Sequence, residues 1–194
     1  MNVNMNRECA LSNVTKDYLE RFYCILDEMI KGMTEAELTD SISRNFIVQM
    51  IPHHKAAIDM SLNLLKYTTC VPLQNIALGI VSAQTESIED MRKILCTCSE
   101  LQNSERDVKL YQRRVDMIMK TMFSKMGGAC SDNNINADFM REMIPHHEGA
   151  IKMSKNALQY DICPGLKPIL CAIISSQERG VMQMESLLKS GVCC

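Results

Sequence analysis

The pentapeptide Met-Ile-Pro-His-His stands at residues 50–54 and again at residues 143–147, 93 positions later. The two copies contain all four histidines of the 194-residue chain. In each copy the methionine precedes the second histidine by four residues, so a helix places the thioether and the imidazole on adjacent turns of one face. Such exclusive, duplicated use of histidine beside methionine favours a metal-binding site.

The duplication extends well beyond the pentapeptide. Residues 46–95 are identical to residues 139–188 at 21 of 50 positions, and the same offset pairs Tyr18 with Tyr111. Two long copies predict one pseudo-symmetric domain, because a solenoid needs three or more shorter repeats. We divide the chain into an N-terminal extension (1–17), a first repeat (18–98), a joint (99–110) and a second repeat (111–194).

The pattern of each repeat predicts three helices. The whole chain is therefore predicted to form an all-α, up-down bundle of about six helices. Apolar residues recur at three- and four-residue spacing, and no strand signal is longer than a few residues. The motif helices are predicted at about 42–67, opened by Asp40 or Ser41, and at about 137–160, opened by Asn136. The third helices are predicted at about 72–96 and 166–188. Pro52 and Pro145 fall inside the motif helices, where each removes one backbone donor.

Charge and hydropathy exclude several functional classes. The 21 basic and 23 acidic side chains nearly cancel, which argues against nucleic-acid binding and anionic membrane surfaces. No apolar run approaches the roughly 20 residues that span a bilayer. Residues 1–13 lack the apolar core of a signal peptide, which predicts a cytoplasmic protein. An exported chain whose signal peptide has been removed would lack this core as well. Association into a homo-oligomer is compatible with this composition.

Sulfur is the outlier of the composition, with 16 methionines and 10 cysteines but no tryptophan. Reduced sulfur donors are soft ligands that suit Cu(I), whereas Met and Cys also serve as ordinary core residues. A cytosolic location predicts that most of the cysteines are reduced. Cys70 and Cys163 are equivalent turn positions. Two close pairs follow the third helices, Cys96 with Cys98 and Cys193 with Cys194, and they either bind soft metal, oxidise or are incidental.

The candidate ligands are thioethers and imidazoles of the two motif helices. They are Met50, His53, His54, Met60, Met143, His146, His147 and Met153. This set favours copper, as Cu(I), over zinc or iron, because thioethers are poor ligands for harder ions and the usual zinc spacings are absent. A di-iron centre needs duplicated carboxylates, but Glu142 has Gln49 as its counterpart.

Two amides are predicted to support the site from the third helices. Gln84 and Gln177 occupy the middle of apolar stripes that also carry Met91 and Met184. A buried amide requires hydrogen-bond partners. The sequence leaves two partners open: an imidazole N–H, whose tautomer the amide would then fix, or a carbonyl freed by the motif proline.

The stretch 139–153, followed by Gln177 and Met184, resembles the DUF305 family, and the first repeat carries the same pattern. The resemblance covers roughly residues 40–190. It implies a ferritin-like four-helix bundle of motif and third helices, with the first helix of each repeat packed outside or bridging. It also implies copper binding by the motif methionines and histidines, in relatives that are periplasmic or secreted. This chain departs from the family in its cysteine content, in its lack of an export signal, and in Ser87 and Gly180, which replace an acidic residue.

These observations predict a non-catalytic bundle that binds or sequesters Cu(I) through the duplicated motif. One alternative is a metal-dependent redox enzyme, using iron or copper, which would show carboxylates clustered at the histidines. Another is a structural helical module whose histidines are core residues and which binds no metal.

Overall fold

Six α-helices make up the fold, in a computed structural model that describes residues 11–193. In chain order they are α1 (Asn13–Thr34), α2 (Ile42–Leu64), α3 (Val71–Cys98), α4 (Glu105–Gly127), α5 (Ile135–Ala157) and α6 (Leu166–Ser190). The described residues contain no β-strand, and the all-α prediction with six helices is confirmed. None of these helices has the length and apolarity to cross a membrane.

Side-chain caps set where the helices begin. Ser41 accepts a hydrogen bond from the backbone of Arg44 and opens α2, as predicted. The predicted start of α5 was wrong by two residues, since Asn134 is the cap and accepts from the backbone amide of Ala137 at 3.1 Å. Asn136 instead donates its amide to the carbonyl of Cys193.

The motif helices end three residues before the predicted tyrosines. Tyr67 closes a turn onto the carbonyl of Leu64, and its ring packs edge-on against Tyr18 with centroids 5.9 Å apart. Tyr160 makes the matching contact with Tyr111 at 5.8 Å. Each tyrosine therefore joins the motif helix to the first helix of its repeat.

Helices α2, α3, α5 and α6 form the central bundle, as the family resemblance implied. α1 packs against α2 on one side, and α4 packs against α5 on the other. The two repeats meet where α2 contacts α5 and α3 contacts α6. α1 begins inside the 1–17 segment and α4 inside the 99–110 segment, and the division of the chain into those four segments stays a prediction.

Two disulfides cross between the repeats. Cys70 is bonded to Cys193, and Cys98 is bonded to Cys163. Each bond joins the turn after one motif helix to the end of the other repeat's third helix. The expectation of reduced thiols is therefore wrong for these four cysteines, and Cys98 does not pair with its sequence neighbour. Cys194 lies outside the described residues.

Candidate metal centre

Helices α2 and α5 place the duplicated motif where the two repeats meet. Pro52 lies inside α2 and faces α1, since a Cβ added at Gly32 would come within 2.8 Å of its Cβ. His53 and His54 follow it by one and two residues, which turns them by about 100 and 200 degrees around the helix. Both imidazoles are buried, at 0% and 1% exposure. The helix therefore directs its proline outward and its histidines into the bundle.

The four imidazoles are neighbours in the interior. The rings of His53 and His146 lie with centroids 3.7 Å apart and planes tilted by 31°. Each of them is 5.9 Å from the second histidine of its own motif, His54 or His147. We call these four residues the histidine cluster. It spans the contact between α2 and α5 and unites both copies of the motif.

All four imidazoles are neutral at physiological pH. Burial lowers the pKa of His54 to about 3 and that of His146 to about 4, with the neighbouring His146 lowering the pKa of His54 further. The pKa values of His53 and His147 are held well below the usual range, first by burial and then by the other rings of the cluster. Neutral imidazole is the form that binds metal.

Five ring nitrogens of the cluster are buried and have no hydrogen-bond partner. They are Nδ1 of each histidine and Nε2 of His53. Buried polar atoms are almost always hydrogen-bonded, because an unpartnered one costs about 1–3 kcal/mol. A concentration of five such atoms on four adjacent rings fits a site that is completed by an exogenous ligand.

The tautomer of His146 follows from its one partner. Its Nε2 lies 3.1 Å from the carbonyl oxygen of His53. A carbonyl oxygen only accepts, so Nε2 carries the hydrogen and donates it. Since the ring is neutral, Nδ1 of His146 holds a free lone pair that can bind a metal ion.

A single multi-histidine centre is not formed. Among residues 11–193, no three side chains of the types His, Cys, Asp and Glu are arranged to hold one ion. Glu142, the carboxylate that precedes His146 by one turn, is buried and accepts a 2.6 Å hydrogen bond from the hydroxyl of Tyr18. Among the described residues, the several carboxylate ligands that a di-iron enzyme requires are therefore not gathered at the histidine cluster.

Buried thioethers lie on the same four helices. Those of the predicted set are all nearly inaccessible: Met50, Met60, Met91, Met143, Met153 and Met184. Met117 and Met182, by contrast, are more than half exposed. The interior thus offers imidazole and thioether donors, while its buried carboxyl Glu142 is occupied by Tyr18. Thioethers suit Cu(I) and are poor ligands for zinc, iron or magnesium.

The two glutamines reach the interior but make neither of the predicted contacts. Both amide atoms of Gln84 and the oxygen of Gln177 are buried without a hydrogen-bond partner. His146 is oriented by a backbone carbonyl instead. The Oγ of Ser87, at 3.2 Å, is the partner of Nε2 of His54. The amides add three further unpartnered polar atoms to the same region of the bundle.

Two grooves between α3 and α6 lead to the outer histidines. A groove of about 550 Å³ is lined by His147, Gln84 and Gln177. A second groove, of about 300 Å³, is lined by His54 and the same two glutamines. Neither groove includes His53 or His146 in its lining. The outer imidazoles, although buried, therefore line these grooves, and the stacked inner pair does not.

This fold and site define an all-α bundle that buries imidazoles and thioethers between two similar halves. The model of a domain of unknown function, DUF305, matches the chain over residues 26–95 and 43–188. The chain belongs to the DUF305 family, as its sequence motif predicted.

Two solved structures share the fold. One, described as CopM in the Ag-bound form (by soaking), has a TM-score of 0.58 and 24% identity, over 76% of this chain and 95% of that chain. The other, described as a DUF305 fragment from Deinococcus radiodurans, has a TM-score of 0.57 and 22% identity, over 77% of this chain and 96% of that one. No curated protein matches the chain.

Proposed function

We propose that this protein binds Cu(I) without catalysing a reaction, and that it sequesters or buffers the ion. The observation that carries the proposal is the set of five buried, unpartnered nitrogens on four neutral imidazoles. Each neutral imidazole has one nitrogen with a lone pair, so an ion bound at these rings satisfies at most one nitrogen per ring, and the protein itself leaves such atoms unsatisfied. Proton competition is weak, because burial lowers all four pKa values.

The ligands are drawn from the histidine cluster and from the motif thioethers Met50, Met143, Met60 and Met153. Because three hard or borderline ligands do not converge among the described residues, sites of low coordination number that combine imidazole and thioether are favoured. Such sites suit soft monovalent ions above zinc or iron. CopM, which shares the fold, is described in a silver-bound form, and Ag(I) is likewise a soft monovalent ion. That likeness supports the choice of ion.

The disulfides support the exported alternative over the cytoplasmic one. Two bonds between the repeats, Cys70–Cys193 and Cys98–Cys163, are of the kind that persists in oxidising compartments. We therefore place the protein in such a compartment. Its association into a homo-oligomer stays a prediction.

Anaerobic competition with a chromophoric Cu(I) chelator tests the proposal. Free thiols are first blocked with iodoacetamide, because the exposed cysteines would bind copper themselves. The wild type is expected to withdraw Cu(I) from the chelator. A variant with all four histidines changed to Leu, which retains core volume, is expected to lose at least 100-fold in affinity.

A matched methionine pair supplies the control. Met50→Leu with Met143→Leu is expected to weaken binding, whereas Met117→Leu with Met182→Leu, at exposed positions, is expected to leave it unchanged. A thiol-blocked wild type that takes up no Cu(I) contradicts the proposal and favours the structural module. Uptake that the four-histidine variant retains in full contradicts it as well.

A further inference from the structure

The histidine cluster is not symmetric at its two outer ends. Ser87 on α3 and Gly180 on α6 are 93 residues apart and occupy matching positions beside His54 and His147. The Oγ of Ser87 lies 3.2 Å from Nε2 of His54, so a hydroxyl covers that nitrogen. Gly180 has no side chain, and no hydrogen bond from the described residues reaches Nε2 of His147.

The glycine is required by the position of the His147 ring. A Cβ at residue 180 would lie 2.8 Å from Cδ2 and 2.9 Å from Nε2 of His147, which is closer than real contacts allow. Any larger residue at this position therefore pushes the ring aside or covers its nitrogen. Because residue 180 is glycine, the ring lies close against α6 and both residues line the groove.

The groove on this side is also the larger one. It encloses about 550 Å³, against about 300 Å³ for the groove at His54. Gly79 faces it from α3, where a Cβ added to the glycine would meet no atom within 4 Å. Arg179 lines both grooves, and Glu86 and Asp90 line only the narrower one, so charge favours the narrower groove for cations whereas access favours the His147 groove.

We propose that soft monovalent ions reach the histidine cluster through the His147 groove, with Nε2 of His147 as the first ligand and Gly180 as the residue that keeps this port open. Ser87 closes the equivalent port at His54. This inference rests on the proposed function. Access outweighs charge in the choice of entry groove for two reasons. The carboxylates of Glu86 and Asp90 are near the surface, where salt screens their attraction for cations. The covered Nε2 of His54 must lose its hydrogen bond to Ser87 before it can bind an ion.

Exchange of the two port residues tests the proposal. Uptake of Ag(I) by the thiol-blocked protein is followed by stopped-flow mixing, with Gly180→Ser as the closing variant and Ser87→Gly as its matched control. Gly180→Ser installs the residue that the first repeat already carries. It is expected to slow uptake at least 10-fold, whereas Ser87→Gly, which uncovers Nε2 of His54, is expected to raise the rate. A Gly180→Ser rate within twofold of wild type, or a Ser87→Gly variant that does not load faster, overturns the port.

A measurement on the wild type keeps the test independent of folding in the variants. Ring ¹⁵N resonances are recorded while substoichiometric Ag(I) is added. The Nε2 signal of His147 is expected to shift before any signal of His54. If His54 responds first, the port is wrong although ion binding stands. If the wild type binds neither Ag(I) nor Cu(I) at equilibrium, the proposed function itself fails and the port with it.

Discussion

The imidazoles of His53 and His146, 93 residues apart in the chain, stack with centroids 3.7 Å apart at the centre of the bundle. The contact joins the two repeats through two fully buried polar side chains. Only one of the four ring nitrogens in this pair has a protein partner, namely Nε2 of His146, which donates to the carbonyl of His53. A core built for stability alone would place apolar side chains here. The pair therefore marks a place where the core gives up stability, as the proposed ion binding requires.

Removal of His53 is expected to stabilise the metal-free protein. Both of its ring nitrogens are buried and unpartnered, so His53→Leu relieves a cost of about 1–3 kcal/mol for each. The melting temperature of the metal-free variant should rise while its Cu(I) affinity falls. Ile47→Leu, a change at a fully buried position of the same helix, serves as the control and should not raise the melting temperature. A less stable His53→Leu protein would show that the imidazole supports the fold.

Replacement of Glu142 is expected to change how stability depends on pH. Burial raises the pKa of this carboxyl to about 8, and the nearby Asp138 raises it further, whereas the hydrogen bond from Tyr18 opposes the shift. Because the folded-state pKa lies above the ordinary 4.5, the Glu142 carboxyl contributes fully to the free energy of unfolding below pH 4.5. That contribution is lost progressively as pH rises to about 8. Glu142→Gln copies the first repeat, which has Gln49.

The free energy of unfolding of the variant should therefore match that of wild type at pH 4.5. It should exceed it at pH 9 by about 5 kcal/mol, because the pKa rises from 4.5 to about 8 and each unit is worth about 1.4 kcal/mol. Urea unfolding at a series of pH values measures this. The histidines affect the free energy of unfolding equally in both proteins, so their contribution cancels in the difference between variant and wild type. Glu185→Gln is the control, and a difference that does not grow between pH 5 and pH 9 contradicts the prediction.

The disulfides should be found between the repeats. Peptide mapping without reduction is expected to recover Cys70 linked to Cys193 and Cys98 linked to Cys163. Cys98→Ser with Cys163→Ser should lower the free energy of unfolding by about 4 kcal/mol, because the bond closes a long loop. Cys171→Ser, at an exposed free thiol, should leave stability unchanged. Recovery of a Cys96–Cys98 peptide would contradict this pairing.

Two glycines should respond in opposite ways to alanine. Gly32→Ala places a methyl group 2.8 Å from Cβ of Pro52, so α1 must move off α2 at a cost of about 1–3 kcal/mol. Gly79→Ala meets no atom within 4 Å in the middle of α3 and should gain about 0.5–1 kcal/mol from helix propensity. Thermal unfolding of both variants measures the difference. Equal effects would mean that α1 does not pack closely on the motif proline.

Local patterns predicted the helices well and their ends less well. The apolar spacing and the Ser41 cap were sufficient for the start of α2, because a cap is a contact within three residues. At α5 two asparagines compete for that role. Asn136 is drawn away by the carbonyl of Cys193, 57 residues distant, which the local sequence does not reveal. Tyr67 and Tyr160 leave their helices for similar reasons, because they pack against the first helix of each repeat.

The amino-acid sequence by itself determined six helices, membership in the DUF305 family and the placement of imidazole and thioether one turn apart on the motif helices. Those features depend on periodicity and on duplication, both of which are properties of the chain. The tertiary structure decided the stacking of His53 on His146, the disulfides between repeats and the difference between Ser87 and Gly180 at the outer histidines. The physical reason is that each of these depends on distances of a few ångströms between helices far apart in the chain. Only packing sets those distances.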